Sequence, residues 1–253
     1  MDFGARCLKC VLCPQIIESS LAVLCTSCAD TVGSEYTLKI PLSPEDDSDV
    51  YEPLRDSFLA SWGHPTPTKP HVNAITALHM NKESTQRYEK VRSANHSSTE
   101  TRLYHGTRVD CNFGHNFNPP CESKQCYLCR ISKDGFRHPI PSDVRPFNNG
   151  VWDRFGPAIY STPISSKAAD YENQRNFSSN NNETRTRHII VTRVATGNIE
   201  TMHKQDESRS AASQGYDSIF GPQGSAGLNY AENAVYKDGG ALPIFVISFQ
   251  GGF

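Results

Sequence analysis

The sequence predicts an α+β fold with a mainly antiparallel sheet. Three observations carry that expectation. Two apolar runs rich in β-branched and aromatic residues, "HIIVTRVATG" (188–197) and "LPIFVISF" (242–249), have the composition of strands. Helical patterning lies mainly before residue 100, and strands dominate after it. No internal repeat is present.

The elements follow in order. Residues 34–50, "SEYTLKIPLSPEDDSDV", are acidic and Pro-bearing, which suits a linker with one strand. "YEPLRDSFLASW" (51–62) has the pattern of a short amphipathic helix, and the Pro-rich "GHPTPTKP" breaks it. From "VNAITALHMNKESTQRYEKVRSA" a helix is expected. Val72, Ile75 and Leu78 fall on one helical face, and Tyr88 and Val91 resume the spacing after Asn81. "TRLYHGT" is a short strand running into a turn. "FGPAIYSTPISSKAADY" (155–171) passes from a small apolar strand into a Ser-rich helical segment, with Tyr160 and Tyr171 eleven positions apart. "ENQRNFSSNNNETRTR" (172–187) has the composition of a mobile loop, and "YAENAVY" (230–236) that of a strand.

Composition narrows the function classes. At 253 residues the chain has room for one good-sized domain and a small appendage. The organisation expected is a cysteine cluster over 1–33, a linker with a short helix over 34–65, and the main domain over 66–253. No run is long enough to span a bilayer, and "MDFGARCLKC" lacks the apolar core of a secretory signal. A formal net charge of −2 gives no global pull toward nucleic acid or acidic membranes. Nine cysteines, an odd number without an export signal, speak against a disulfide scaffold and for an intracellular protein, cytoplasmic or nuclear.

The cysteines form two clusters. The first reads "CLKCVLCPQIIESSLAVLCTSC". Cys10 and Cys13, then Cys25 and Cys28, make two CxxC knuckles that can close a tetrahedron on a structural zinc ion; Cys7 offers an alternative first pair with Cys10. The second reads "CNFGHNFNPPCESKQCYLCR", where Cys111, Cys121, Cys126 and Cys129 form a four-cysteine zinc site, or His115 replaces one of them. Four protein ligands leave no open position, so both ions are expected to be structural. The alternative in each case is a set of reduced free thiols. Nothing in "CPQIIESSLAVLC" is basic or aromatic enough to favour nucleic acid.

Three polar residues stand on or beside the apolar strands: His105 in "LYHGT", Tyr160 in "AIYST" and Glu232 in "LNYAENAVY". Singly, each has a plain structural explanation as a turn cap, a half-buried strand residue and a solvated carboxylate. Together they resemble the His-Tyr-Glu signature of the poly(ADP-ribose) polymerase-like ADP-ribosyltransferases. The resemblance covers roughly residues 72–249 in four ordered blocks. "ITALHMNKESTQRYEKVR" is similar to the helix preceding the histidine strand, "ETRLYHGT" to that strand and its turn, and "DRFGPAIYSTPISSKAADY" to the strand, loop and helix with two tyrosines. "QGYDSIFGPQGSAGLNYAENAVYKDGGALPIFVISF" resembles the glutamate strand and final strand, with a tankyrase-like lead-in.

The resemblance implies a fold of two packed, mainly antiparallel sheets with few helices. It also implies a transferase that breaks the nicotinamide–ribose bond of NAD and moves ADP-ribose to a macromolecular acceptor, expected to be a protein. An NAD glycohydrolase would carry the same residues. A catalytically silent zinc-bearing module is the other alternative, against which the presence of all three residues speaks, since inactive members would be expected to lose at least one. Bond cleavage passes through an oxocarbenium-like state, so the ring must be held flat and the developing charge needs a carboxylate. By resemblance, Glu232 binds the nicotinamide ribose and stabilises that charge, and His105 binds the adenosine ribose. Gly106 lets the backbone reach the carboxamide, Thr107 is a further ribose contact, Tyr171 stacks on the nicotinamide and Tyr160 forms the opposite wall. The sequence departs from the family at Ala168, where polymerase relatives usually carry a serine that hydrogen-bonds the carboxamide, and at Ala158, where a glycine is usual. Residues 29–71 are too short for the helical regulatory subdomain of the larger relatives.

Overall fold

The computed structural model describes residues 8–9, 16–17, 27, 37–65, 69–111, 113, 121–138, 154–172 and 185–252. The expected N-terminal zinc ligands Cys10, Cys13, Cys25 and Cys28, together with Cys7 and His115, lie outside these residues. So do positions 173–184 of the loop expected over 172–187, whose last residue, Arg187, belongs to a strand.

Two sheets form the body. The larger holds β3 (Leu38–Pro41), β4 (His71–His79), β11 (Ala241–Gln250), β7 (Arg187–Val194) and β5 (Thr101–His105), in that spatial order and antiparallel throughout. The smaller runs β6 (Ile159–Ser161), β10 (Glu232–Val235), β9 (Ser218–Gly221), β8 (Ile199–Thr201), with only the β8–β9 pair parallel. A separate two-residue ladder pairs β1 (Leu8–Lys9) with β2 (Ile16–Ile17). The α+β class with mainly antiparallel sheets is thus the observed one.

The central strands are apolar because both their faces are covered. Along β7, Ile189 and Val191 enter one core while Ile190 and Val194 enter the other. On β11, Phe245, Ile247 and Phe249 face the first core and Val246 the second. Helix α1 (Ser48–Ala60) covers the first face with Val50, Tyr51, Leu54 and Phe58. Helices α2 (Lys82–Ala94) and α3 (Tyr127–Asp134) cover the second with Tyr88 and Leu128. Asn81 caps α2, its side chain accepting from the Ser84 N–H at 2.8 Å, which is where the helix must start.

The structure corrects the expectation of one helix over residues 72–94. The first half is strand β4, and the helix begins only at Lys82. The i, i+3 spacing of Val72 and Ile75 arises from an irregularity in the ladder: Phe249 pairs with Val72 while Ser248 pairs with Ala74. The extra residue, Asn73, flips the strand's parity, so Val72 and Ile75 reach the same core. Leu78 faces the opposite core, so the three never shared one face. The stretch expected as a linker is likewise built into the body, since β3 pairs with β4 (Lys39 opposite Leu78) and α1 packs on the sheet.

Candidate active site and four-cysteine cluster

The site lies where β5 of the larger sheet meets β6 of the smaller. Tyr104 and Thr162 exchange backbone hydrogen bonds of 2.8 and 2.9 Å, an isolated bridge between the two strands. One residue on, the His105 ring reaches the Tyr160 carbonyl, with Nδ1 at 2.7 Å from the oxygen. A carbonyl only accepts, so Nδ1 carries the proton, and in the neutral ring Nε2 keeps its lone pair. Tyr160 is fixed in turn. Its hydroxyl donates to the Gly156 carbonyl at 2.7 Å and accepts from the Phe155 N–H at 3.0 Å.

Register places Glu232 beside them. Tyr160 pairs with Ala234 across the β6–β10 ladder, and Glu232 lies two residues from Ala234 on the same sheet face. Thr162 ties the two strands together once more, its hydroxyl donating to the Ala231 carbonyl at 2.7 Å. Glu232 is buried, and its carboxylate meets the equally buried ammonium of Lys167 at 2.5 Å. Lys167 also donates to the Tyr230 carbonyl at 2.9 Å. Burial pushes the lysine below its ordinary pKa, and the Glu232 carboxylate pulls it back up.

Lys167 belongs to helix α4 (Ser165–Asp170), which also packs against the residue after His105. The Gly106 backbone lies against this helix so closely that a Cβ there would fall 1.6 Å from the Ala168 carbonyl oxygen and 3.1 Å from the Tyr171 Cβ. Glycine is the residue that fits. Tyr171 ends the helix and leaves 36% of its surface exposed, unusual for an aromatic among buried neighbours. Thr107 is buried next in the chain. His105, Gly106, Tyr160, Tyr171 and Glu232 therefore converge on α4 or on one another. Ala168, the departure noted in the sequence, is buried in the middle of α4.

The profile of the poly(ADP-ribose) polymerase catalytic domain matches residues 51–249. The chain belongs to this family. Comparison with curated proteins gives no match. Membership in the poly(ADP-ribose) polymerase family implies NAD-dependent ADP-ribosyltransferase activity, with NAD as the substrate. The two mainly antiparallel sheets are consistent with this catalytic fold. Among the described residues, no helix is long and apolar enough to cross a membrane.

This poly(ADP-ribose) polymerase domain also carries the second cysteine cluster as a formed group. The sulfurs of Cys111, Cys121, Cys126 and Cys129 all lie within 4.8 Å of one another, with Cys111 3.7 Å from Cys126 and 3.4 Å from Cys129. A tetrahedral zinc with bonds of about 2.3 Å sets its sulfurs roughly 3.8 Å apart, whereas a disulfide requires about 2.05 Å. The four thiols are free and fit a zinc ion with a closed shell. Lys39 of β3 supplies positive charge nearby. Burial lowers its pKa, and the four cysteines raise it. A tetrathiolate zinc carries a net charge of −2, so such a cation offsets part of it. Cys126 is pulled down to about 5, chiefly by the thiol of Cys129, while burial pushes Cys111 up to about 12. Among the described residues this is the one group of its kind; the first of the two expected zinc sites lies outside them.

Sequence reasoning missed Lys167. The residue stands in "SSKAADY", where a charged side chain on a short helix reads as solvated surface. The available signal was its spacing, four before Tyr171, which puts it within one turn of the exposed ring.

Proposed function

We propose that this domain cleaves the nicotinamide–ribose bond of NAD and transfers ADP-ribose to a macromolecular acceptor, with Glu232 as the catalytic carboxylate. The observation that carries the reading is the buried Glu232–Lys167 pair beside Tyr160, within the same cluster as His105 and Tyr171. A buried carboxylate held in place by an ion pair is suited to a charge that develops only in the transition state.

In this reading Tyr171 stacks on the nicotinamide and Tyr160 closes the opposite side. The His105 Nε2 lone pair accepts from a hydroxyl of the adenosine ribose, and Gly106 presents its backbone to the carboxamide; Thr107 adds a polar contact on the ribose side. As the glycosidic bond breaks, its electron pair leaves with nicotinamide and positive charge appears on the ribose C1′ and ring oxygen. Glu232 stabilises that charge through the 2′-hydroxyl. The acceptor's oxygen or nitrogen then bonds to C1′, and its proton passes to a carboxylate within reach, Glu232 being the candidate. None of these steps draws on a metal, so the zinc reading of the cysteine cluster remains structural.

Incubation with biotinylated NAD, followed by blotting, tests the proposal. Label on a protein in the wild type and none with Glu232→Gln supports transfer. Release of only free ADP-ribose and nicotinamide makes the domain a glycohydrolase, and equal silence of both chains makes it a binding module.

A further inference from the structure

We propose that the four-cysteine cluster, when it holds zinc, positions the His105 ring through Phe136; the inference rests on the reading of His105 as an NAD contact. The path is continuous. Cys126 occupies the N-cap position of α3 and Cys129 lies in its first turn. The far end is tied down separately. The Lys133 carbonyl accepts from Thr37 Oγ1 at 2.8 Å and Asn81 Nδ2 at 3.0 Å, and the Asp134 carbonyl accepts from Ser84 Oγ at 2.8 Å and Arg87 Nη2 at 2.6 Å. Gly135, at φ +74°, then turns the chain, and the buried Phe136 meets the His105 ring edge-on, with centroids 4.9 Å apart and planes at 87°.

The other route between the same two points is equally short. From His105 the chain runs through Arg108, whose carbonyl accepts from the Leu128 N–H at 3.1 Å, to Asp110, whose N–H reaches the Cys126 sulfur at 3.4 Å, and then to Cys111. The two routes form a ring that the sulfurs close. Fastening Cys111 to Cys126 and Cys129 fixes the exit of β5 relative to α3, and so the contact of Phe136 with His105. The imidazole is then held on two sides, by the Tyr160 carbonyl at Nδ1 and by the Phe136 edge. Phe136 acts here as a positioning residue, since it acts through the histidine.

The test compares the 253-residue chain with its Cys129→Ser, Phe136→Leu and His105→Ala variants. Zinc per chain is read by elemental mass spectrometry, ADP-ribose affinity by calorimetry, and KM and kcat for NAD by nicotinamide release. Cys129→Ser is expected to lose one zinc equivalent and to bind ADP-ribose about five- to tenfold more weakly. Phe136→Leu is expected to keep its zinc, bind ADP-ribose about three- to fivefold more weakly and raise KM for NAD by a similar factor, with kcat within about twofold. If Cys129→Ser fails to fold, Phe136→Leu decides. Unchanged ADP-ribose affinity in Phe136→Leu overturns the proposal, as does a zinc content that Cys129→Ser leaves untouched. The histidine variant separates the two layers. Undiminished binding in His105→Ala removes the NAD role itself, whereas weak binding there beside normal binding in Phe136→Leu removes only the positioning.

Discussion

The Lys167 ammonium lies 2.5 Å from the Glu232 carboxylate, and both side chains are buried. The pair joins the short helix α4 to the first residue of β10, so the carboxylate's position depends on the helix. Removing one partner strands the other's charge in a poorly solvated place, at a cost of about 3–5 kcal/mol. Glu232→Gln is expected to slow nicotinamide release at least about 100-fold. Lys167→Met is expected to slow it about 10- to 100-fold with KM for NAD changed less than about threefold. Rates are compared on folded protein, checked by circular dichroism. A Lys167→Met rate within about twofold of wild type would leave the lysine a packing role only.

Tyr171 exposes 36% of its surface at the end of α4. A ring that stacks on a ligand is worth about 0.5–1.5 kcal/mol beyond its buried area. Tyr171→Ala should therefore raise KM for NAD about tenfold or more, while Tyr171→Phe stays near wild type. Equal KM values for the alanine variant and the wild type would place the nicotinamide elsewhere.

Ala168 stands buried between Lys167 and Tyr171, at the position where the sequence resemblance leads to an expected serine. Restoring one neutral hydrogen bond to a carboxamide is worth about 0.5–1.5 kcal/mol. Ala168→Ser is expected to tighten inhibition by nicotinamide or benzamide about two- to tenfold, read as a fall in the inhibition constant. No change would mean that the carboxamide does not face this residue.

Gly106 leaves no room for a Cβ, which would lie 1.6 Å from the Ala168 carbonyl oxygen. Gly106→Ala must push α4 away from β5 or distort both. The expected result is a lowered melting temperature together with loss of nicotinamide release by more than about 100-fold. An active, fully stable Gly106→Ala chain would contradict the close approach described above.

Acid stability is expected to depend on Asp217. Its carboxylate accepts from the backbone N–H groups of His96 at 3.0 Å and Asn198 at 2.9 Å, and faces His96 Nδ1 at 3.0 Å. Burial alone would raise its pKa, but these bonds outweigh burial and hold it below the usual carboxylate value. The folded chain then binds fewer protons here than the unfolded one. The stabilisation is complete above the unfolded value of about 3.9 and is lost as pH falls through the lower folded value. Asp217→Asn should flatten the melting temperature's fall between about pH 5 and pH 2, and an equally steep fall would shift the acid sensitivity to other carboxylates.

Where local composition agreed with tertiary position, the sequence was readable. β7 and β11 are apolar on both faces because both are covered, and β5, β6 and β10 followed from short motifs carrying polar residues at their ends. Strand β4 has a helical spacing in the sequence because an irregularity in its ladder shifts its parity, which only the paired strand reveals. The lead-in of β3 and α1 looked like a linker because its acidic and Pro-rich residues mask four buried side chains, Val50, Tyr51, Leu54 and Phe58. The meeting of His105 with Tyr160 and of Gly106 with α4 follows from the two sheets joining at Tyr104 and Thr162. Lys167 escaped notice because charge suggests solvent, and its partner lies 65 positions away. The role of Phe136 was equally hidden, since its contact with the His105 ring depends on a turn at Gly135 that the motif does not mark.

Helix α4 gives the pocket a property that no single contact has. Lys167 reaches Glu232, Ala168 touches the Gly106 backbone, and Tyr171 closes the turn, all from one short rigid rod. Each successive residue of such a rod is turned about 100° from the last. A single insertion or deletion between Lys167 and Tyr171 would turn the contacts on one side of it by about 100° relative to those on the other. Substitutions along the helix can retune the site one contact at a time, but a change in its residue count would break the alignment of the three contacts with one another.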